Sequence, residues 1–397
     1  MESKEILDAF LNPLCDHDES YNDDYLDLFT GILESEEGAW VKYKGKKMLF
    51  MASYDYLGLL EHPKINKICS KVCEINGAGS RGTPLLGGIT QLHLDLEKKI
   101  ANILGTEDAL IFSSGYVANL ATISTLVGAG DAIISDNYVH ASIVDGCKLS
   151  GAQLYYFKHN SIKNLENFLK NLNAKRKLVI IESVYSMDGD IADIPGISEL
   201  CQKYKATLMI DEAHSFGCVG PDFGIQSYFG IKSDLIPIKM GTLSKTIPAT
   251  GGYVAGSKKL INILKSKSRG YVFSAILSPV LIKSALESIS IIEKEPQRKA
   301  KLNKNISKYV EGLKKMGFDT LNSETMIVPI ITSTPEKTFK MTKICRENNL
   351  LVYPILYPVV PKRLPRIRTT ITSKFEDRDI EYALQIFEKA GKQLKLI

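Results

Sequence analysis

The sequence predicts an α/β protein: a large unit on a seven-stranded, mostly parallel sheet, followed by a smaller C-terminal α+β unit. Three observations carry this. From about residue 95 to 256, short apolar runs ending in Gly, Ser or Asp alternate with helical patterns. After about residue 276 the alternation stops, and two long helical stretches lead into three short strands and a final helix. The 397 residues are 44% hydrophobic and 24% charged, which excludes a disordered chain and allows a large core without disulfide or metal staples.

Residues 1–45 read as an N-terminal arm, acidic and irregular (CDHDESYNDD, ESEEG), with an amphipathic helix around 25–33 and the only Trp at position 40. VKYKGKKMLFM reads as a hairpin turning at Gly45. KINKICSKVCEI reads as a helix on which Cys69 and Cys73 are two core thiols; no second cysteine pair stands at zinc-like spacing. The large domain, 46–275, then holds the seven strands ALIFSSG, DAIISD, QLYYF, KLVIIES, ATLMID, LIPIKMG and GYVAG, with helices such as LDLEKKIANIL, SIKNLENFLKNL and ISELCQKY between them. Ligands on such sheets bind at the carboxyl ends of the strands. The small domain, 276–397, has the helices SPVLIKSALESISIIEKE and RKAKLNKNISKYVEGLKK, the strands MIVPIITS, LVYPILY and RIRTTIT, and the last helix.

Whole function classes drop out. No apolar run approaches the roughly 18 residues of a membrane span. MESKEILDAF lacks the basic and apolar regions of a signal peptide. Seven scattered cysteines are odd in number and read as reduced thiols of a cytoplasmic protein. A net charge of +5 is too dilute for a nucleic-acid binder. No metal site is expected.

The chemistry concentrates between 206 and 256. ATLMID is a buried strand ending in Asp211, and an acid there needs a cationic partner: Lys, Arg, a metal or a protonated ring nitrogen. Alternatively Asp211 is a helix N-cap. His214 follows three residues later. Lys245 lies among small residues in GTLSKTIPATGG, just past a strand. Desolvation there lowers a lysine's pKa and makes it a nucleophile toward carbonyls. In FSSGYVAN a strand opens a helix at Gly115 and Tyr116, leaving free N–H groups suited to phosphate. His140 falls just past another strand end. Arg366 and Arg368 alternate on one strand face, where a guanidinium fork suits a carboxylate and one of the two suits a structural salt bridge. DEAH at 211–214 is also a helicase box, but that assignment needs a phosphate loop G-x-x-x-x-G-K-[ST], which is missing.

As an ordered set, SYDYLGL (53–59), GAGSRG with GG and H..LE (77–97), SSGYVAN, SDNYVHASIVDG, ESVYSMDGD, DEAHSFGCVG, GTLSK with GGY, and PRIR resemble the α-oxoamine synthases from about residue 45 to 397. These are pyridoxal-phosphate (PLP) enzymes of fold type I: glycine C-acetyltransferase, 8-amino-7-oxononanoate synthase, 5-aminolevulinate synthase and serine palmitoyltransferase. The tail looks closest to glycine C-acetyltransferase. The resemblance implies decarboxylative condensation of glycine, alanine or serine with an acyl-CoA or acyl carrier protein thioester to a 2-amino ketone. It implies PLP held covalently on Lys245, with Asp211 on the ring nitrogen, His214 on the phenolic oxygen and His140 stacked on the ring. Gly115, Tyr116 and Thr242 would hold the phosphate, with Ser274 given across the interface of a homodimer. Ser186 would lie near the ring and the substrate carboxylate, Arg368 would anchor that carboxylate, and Asp55 would meet the substrate.

Departures from the family pattern surround the substrate: Tyr54-Asp55 where glycine users have Asn-Asn, Thr246-Ile247-Pro248 after Lys245, and Ile371-Thr372-Ser373-Lys374 after the arginines. They weaken acetyl transfer to glycine and fit another amino acid or a longer acyl chain. A fold-type-I aminotransferase is the alternative, though such enzymes commonly have Tyr where His214 stands. A non-catalytic partner subunit would lack Lys245. The Lys-rich helices at 258–269 and 298–315 could steer CoA phosphates or an acidic carrier, or be solvated faces.

Overall fold

The computed structural model describes residues 31–397. The helix expected around 25–33 lies outside them, save that Leu33 opens a strand. β1 (Leu33–Glu37), β2 (Trp40–Tyr43) and β3 (Lys46–Phe50) form a meander, with Gly45 at the second turn at φ 75°. Helix α1 (Pro63–Asn76) follows, then α2 (Gln91–Leu104). The buried stripe of α1 centres on Ile65 and Val72, so Cys69 sits at its border and Cys73 is exposed. Cys73 therefore corrects the expectation of two core thiols.

The seven expected strands are all present: β4 (Asp108–Phe112), β5 (Ala132–Asp136), β6 (Gln153–Phe157), β7 (Lys177–Glu182), β8 (Thr207–Asp211), β9 (Ile238–Thr242) and β10 (Gly252–Gly256). They form one sheet in the order β4-β10-β9-β8-β7-β5-β6, in which only β10 runs against the rest. α3 (Gly115–Leu126), α4 (Ala141–Ser150), α5 (Ile162–Asn171), α6 (Ile194–Lys203) and α7 (Lys258–Lys267) cover its faces. The strands are apolar on both sides, as a parallel sheet between helices demands. Leu178 and Ile180 of β7 pack with Ile143 and Leu264 on one face, and Val179 and Ile181 with Leu165 and Ile197 on the other. The parallel strands share one carboxyl edge, so β4, β5, β7, β8 and β9 all deliver their following loops to the same place.

The C-terminal part has α8 (Pro279–Lys294), α9 (Gln297–Met316), β11 (Ile327–Ile331), α10 (Pro335–Glu347), β12 (Leu350–Leu351), β13 (Pro354–Ile355), β14 (Arg366–Thr370) and α11 (Asp377–Gln393). LVYPILY is not one strand of a small sheet. β12 pairs in parallel with β3 and completes a four-stranded sheet, while β13 joins β11 and β14 in a three-stranded one. Among the described residues no helix is long and apolar enough to cross a membrane.

Candidate active site

The loop after β4 meets the start of β10. Ser114 caps α3, its hydroxyl accepting from Val117 N at 3.1 Å, which leaves the N–H groups of Gly115 and Tyr116 without intrahelical partners. A Cβ on Gly115 would touch Thr242 Oγ1 at 3.0 Å, and one on Gly252 would lie 2.6 Å from Ser114 O. Only glycine permits the approach at 252, and a Cβ at 115 would have to push the Thr242 side chain back, so a free helix N-terminus and the Thr242 hydroxyl converge. Thr242 Oγ1 also donates to Gly251 O at 2.9 Å and lies 2.8 Å from Ser244 Oγ.

From the next strand ends come the titratable groups. Lys245 Nζ lies 2.7 Å from His214 Nε2, and His214 Nδ1 lies 2.8 Å from Tyr56 Oη. Burial holds His214 neutral, well below its ordinary value, with the Lys245 charge adding to it. A donor on Lys245 therefore fixes the tautomer: Nε2 accepts, and Nδ1–H donates to Tyr56. Burial lowers Lys245 to about 8, against the pull of Asp211 and Glu182.

Asp211 is buried but does not cap a helix; Oδ1 accepts from Ala213 N at 2.8 Å and Oδ2 from Asn119 Nδ2 at 2.7 Å. Asn119 also donates to Ser142 Oγ at 3.0 Å, and Ser142 Oγ lies 2.8 Å from His140 Nδ1, which accepts from Ser142 N at 3.3 Å. Nδ1 is thus an acceptor, and the proton of a neutral His140 sits on Nε2. The His140 ring is exposed and has Tyr116 edge-on at 6.2 Å. Tyr116 Oη itself donates to Asp145.

Of the residues expected at the substrate, Arg368 comes from the C-terminal part. Arg368 is buried; its Nε donates to Ser186 O at 2.6 Å, and its Nη2 has no hydrogen-bond partner. Its neighbour Arg366 is fully buried on Asp188, Nη1 to Oδ1 at 2.5 Å, the structural half of the pair. Ser186 N donates to Glu182 Oε2 at 3.2 Å. Asp55, expected at the substrate, is committed elsewhere: Oδ1 caps Leu59 N at 2.6 Å and Oδ2 pairs with Lys374 at 3.1 Å. Tyr54 takes the place facing the cluster, with Lys245 Nζ 5.4 Å and Arg368 Cζ 5.8 Å from its ring. Ser274 lies half-buried past the cluster, and among the described residues no hydrogen bond joins it to that cluster.

Three residues here escaped the sequence. Tyr56 and Asn119 hold His214 and Asp211. Glu182 ends β7 directly beside Asp211, and burial together with that neighbouring charge raises it to about 8. Its signals were its place at a strand's end, shared with Asp211, and its position at the head of ESVYSMDGD.

These groups fit PLP. A free helix N-terminus and a hydroxyl suit its phosphate, a depressed lysine its aldehyde, a buried acid its ring nitrogen, and an exposed imidazole face its ring.

Comparison with known proteins agrees. The family model for aminotransferases of class I and II matches residues 46–387. An 8-amino-7-oxononanoate synthase of Thermosipho melanesiensis is 40% identical over 374 residues, 93% of this chain and 95% of its own. A serine palmitoyltransferase structure with PLP superposes with a TM-score of 0.93 at 30% identity, covering 98% of this chain and 100% of that one. An 8-amino-7-oxononanoate synthase structure from Francisella tularensis gives 0.77 at 26%, covering 88% and 99%.

Proposed function

The chain belongs to the aminotransferase class I and II family, as an α-oxoamine synthase that uses PLP to condense an amino acid with an acyl thioester and release carbon dioxide, and from that premise we propose which residues do the work. The bound cofactor supplies an electron sink for a carbanion at the amino acid's Cα. Lys245 would hold it covalently, and its amine would be the base that takes the Cα proton; burial that holds its pKa at about 8 makes the free amine available near neutral pH. Asp211 pairs with the ring nitrogen, kept in line by Asn119. His214, neutral and oriented by Tyr56, would hold the phenolic oxygen, and His140 would lie against the ring. Gly115, Tyr116 and Thr242 take the phosphate.

Arg368 anchors the substrate carboxylate through its unpartnered Nη2, beside Ser186. The amino acid is small, because the Tyr54 ring lies close to both Lys245 and Arg368. The acyl donor is an acyl-CoA or an acyl carrier protein.

The working unit is a cytoplasmic homodimer with Ser274 reaching the partner's phosphate site. In support, Leu86 is 79% and Phe273 71% exposed, on segments tied by Ile276 N to Gly82 O at 3.3 Å. All six described cysteines are free thiols.

The observation that carries the residue assignment is Lys245 Nζ at 2.7 Å from His214 Nε2, on the loop beside Asp211's strand. Purified protein given PLP should show the visible absorbance of a covalently held cofactor, and Lys245→Ala should lose it. No such absorbance in the native protein would sink the assignment.

A further inference from the structure

Outside the cluster, one buried charge network joins the sheet to the C-terminal part. His159, just past β6, is half-buried with both ring nitrogens engaged: Nδ1 lies 3.1 Å from Asp136 Oδ1 and Nε2 3.0 Å from Asp190 Oδ2. Carboxylates only accept, so the ring donates from both nitrogens and is an imidazolium. Burial opposes that charge, but the two hydrogen bonds outweigh it and raise the group to about 10. Tyr138 stacks on the ring at 4.4 Å and Tyr185 meets it edge-on at 4.4 Å. Neighbouring Asn160 closes the joint, its side chain donating to Ile191 O at 3.0 Å and accepting from Asp193 N at 3.1 Å.

His159, Asp188 and Asp190 place ligand atoms within 4.8 Å of one another, the spacing of a metal centre. Protein cations already fill it: His159 is bonded on both sides, and Asp188 is neutralised by Arg366. The cluster is a clasp.

What it clasps is the turn at 185–190. On the far side Arg366 donates to Met187 O at 2.9 Å. Gly189, at φ 74°, packs so closely on Ile327 O that a Cβ would lie 1.9 Å from it. Thr325 Oγ1 donates to Gly189 O at 2.9 Å. In the middle of this turn Ser186 offers its carbonyl to Arg368 Nε at 2.6 Å.

We propose that His159 is a positioning residue: as the cation between Asp136 and Asp190 it fixes the 185–190 turn, and through the Ser186 carbonyl it aims Arg368 at the carboxylate of the amino-acid substrate. This rests on the assignment of Arg368 made above. Removing the cation leaves two carboxylates facing each other without their shared donor, and the turn moves. Losing one hydrogen bond between a misaimed guanidinium and the carboxylate weakens binding by roughly 10–100-fold.

The test is His159→Gln in the holoenzyme. Affinity for the amino acid, titrated through the change in cofactor absorbance, should weaken about tenfold or more, while cofactor retention and the KM for the acyl thioester hold. His159→Gln with Asp190→Asn, which rebalances the charge, should recover most of the loss. Amide hydrogen exchange over 184–191 should quicken in the cofactor-free single variant. Should that variant not fold, Asp190→Asn alone should show the same pattern in milder form. Unchanged amino-acid affinity, or an equal loss for amino acid, thioester and cofactor, would overturn the proposal. Arg368→Ala separates the two layers. If it weakens amino-acid binding and His159→Gln does not, only the clasp falls; if Arg368→Ala changes nothing, the anchor assignment falls and the clasp with it.

Discussion

Asp211 shows how much a single side chain depends on its neighbours. Its carboxylate is buried, and Asn119, four residues into α3, supplies the hydrogen bond that orients it. A hydrogen bond to a charged group contributes roughly 1.5–3 kcal/mol. Asn119→Leu is therefore expected to lower kcat/KM by about 10–100-fold while leaving Lys245 able to hold the cofactor. Steady-state kinetics beside an absorbance spectrum would check this, and unaltered kinetics would contradict it.

Lys245 gives a pH signature. Only its neutral amine attacks a carbonyl, and burial places its pKa at about 8, so the neutral fraction grows as pH rises through that value. Capture of PLP by the cofactor-free protein should quicken about tenfold per pH unit below 8 and level off above it. A plateau reached only near the ordinary lysine value would contradict the buried environment.

The residues that announced themselves in the sequence did so by standing after apolar runs: Asp211, His214, Lys245, His140, Gly115. Tyr56, Asn119 and Glu182 did not, because each reads locally as a core, helix or strand residue. Each meets its partner only when segments far apart in sequence fold together, as Tyr56 and His214 do across 158 positions. Asp55 misled for the opposite reason: its motif drew attention, while its carboxylate serves the loop and Lys374.

At the level of elements, period and spacing were legible wherever the partner was near in sequence. All seven strands of the large sheet lie within a residue or three of the apolar runs. LVYPILY was not legible, since its first half pairs with β3, about three hundred residues earlier, and its second with β14. The Lys-rich α9 shows the same limit. Lys301 pairs with Glu376, and Lys304 and Lys308 with Asp377, all on or beside α11, so these charges are engaged on the fold's own surface. Replacing Lys301, Lys304 and Lys308 together by Gln should leave the KM for the acyl thioester unchanged and cost at most about 1 kcal/mol per pair. A large, salt-dependent rise in that KM would show that α9 steers the donor after all. In the sheet the stakes are higher: Ile180, fully buried on β7, should cost about 2–5 kcal/mol on replacement by Ala, read by urea denaturation.

At the scale of the whole molecule, one edge of one sheet collects loops from five strands, and the C-terminal part lays Arg368 across them. As proposed, the cofactor's groups come from the sheet and the substrate's carboxylate anchor from β14, so binding the amino acid would engage both parts of the chain. In the proposed homodimer, the exposed Leu86 and Phe273 would lie at the interface. Leu86→Glu with Phe273→Glu should turn a sedimenting dimer into a species of the 44.0 kDa chain mass and release PLP; a native protein that sediments as a monomer would remove Ser274 from the site. The most direct test of the central claim is to offer the holoenzyme a panel of acyl thioesters with glycine, alanine or serine, and to follow free thiol, carbon dioxide and product mass together. Thiol and carbon dioxide released in equal amounts, with a 2-amino ketone as product, is the expected result; a keto acid formed without release of thiol would contradict it.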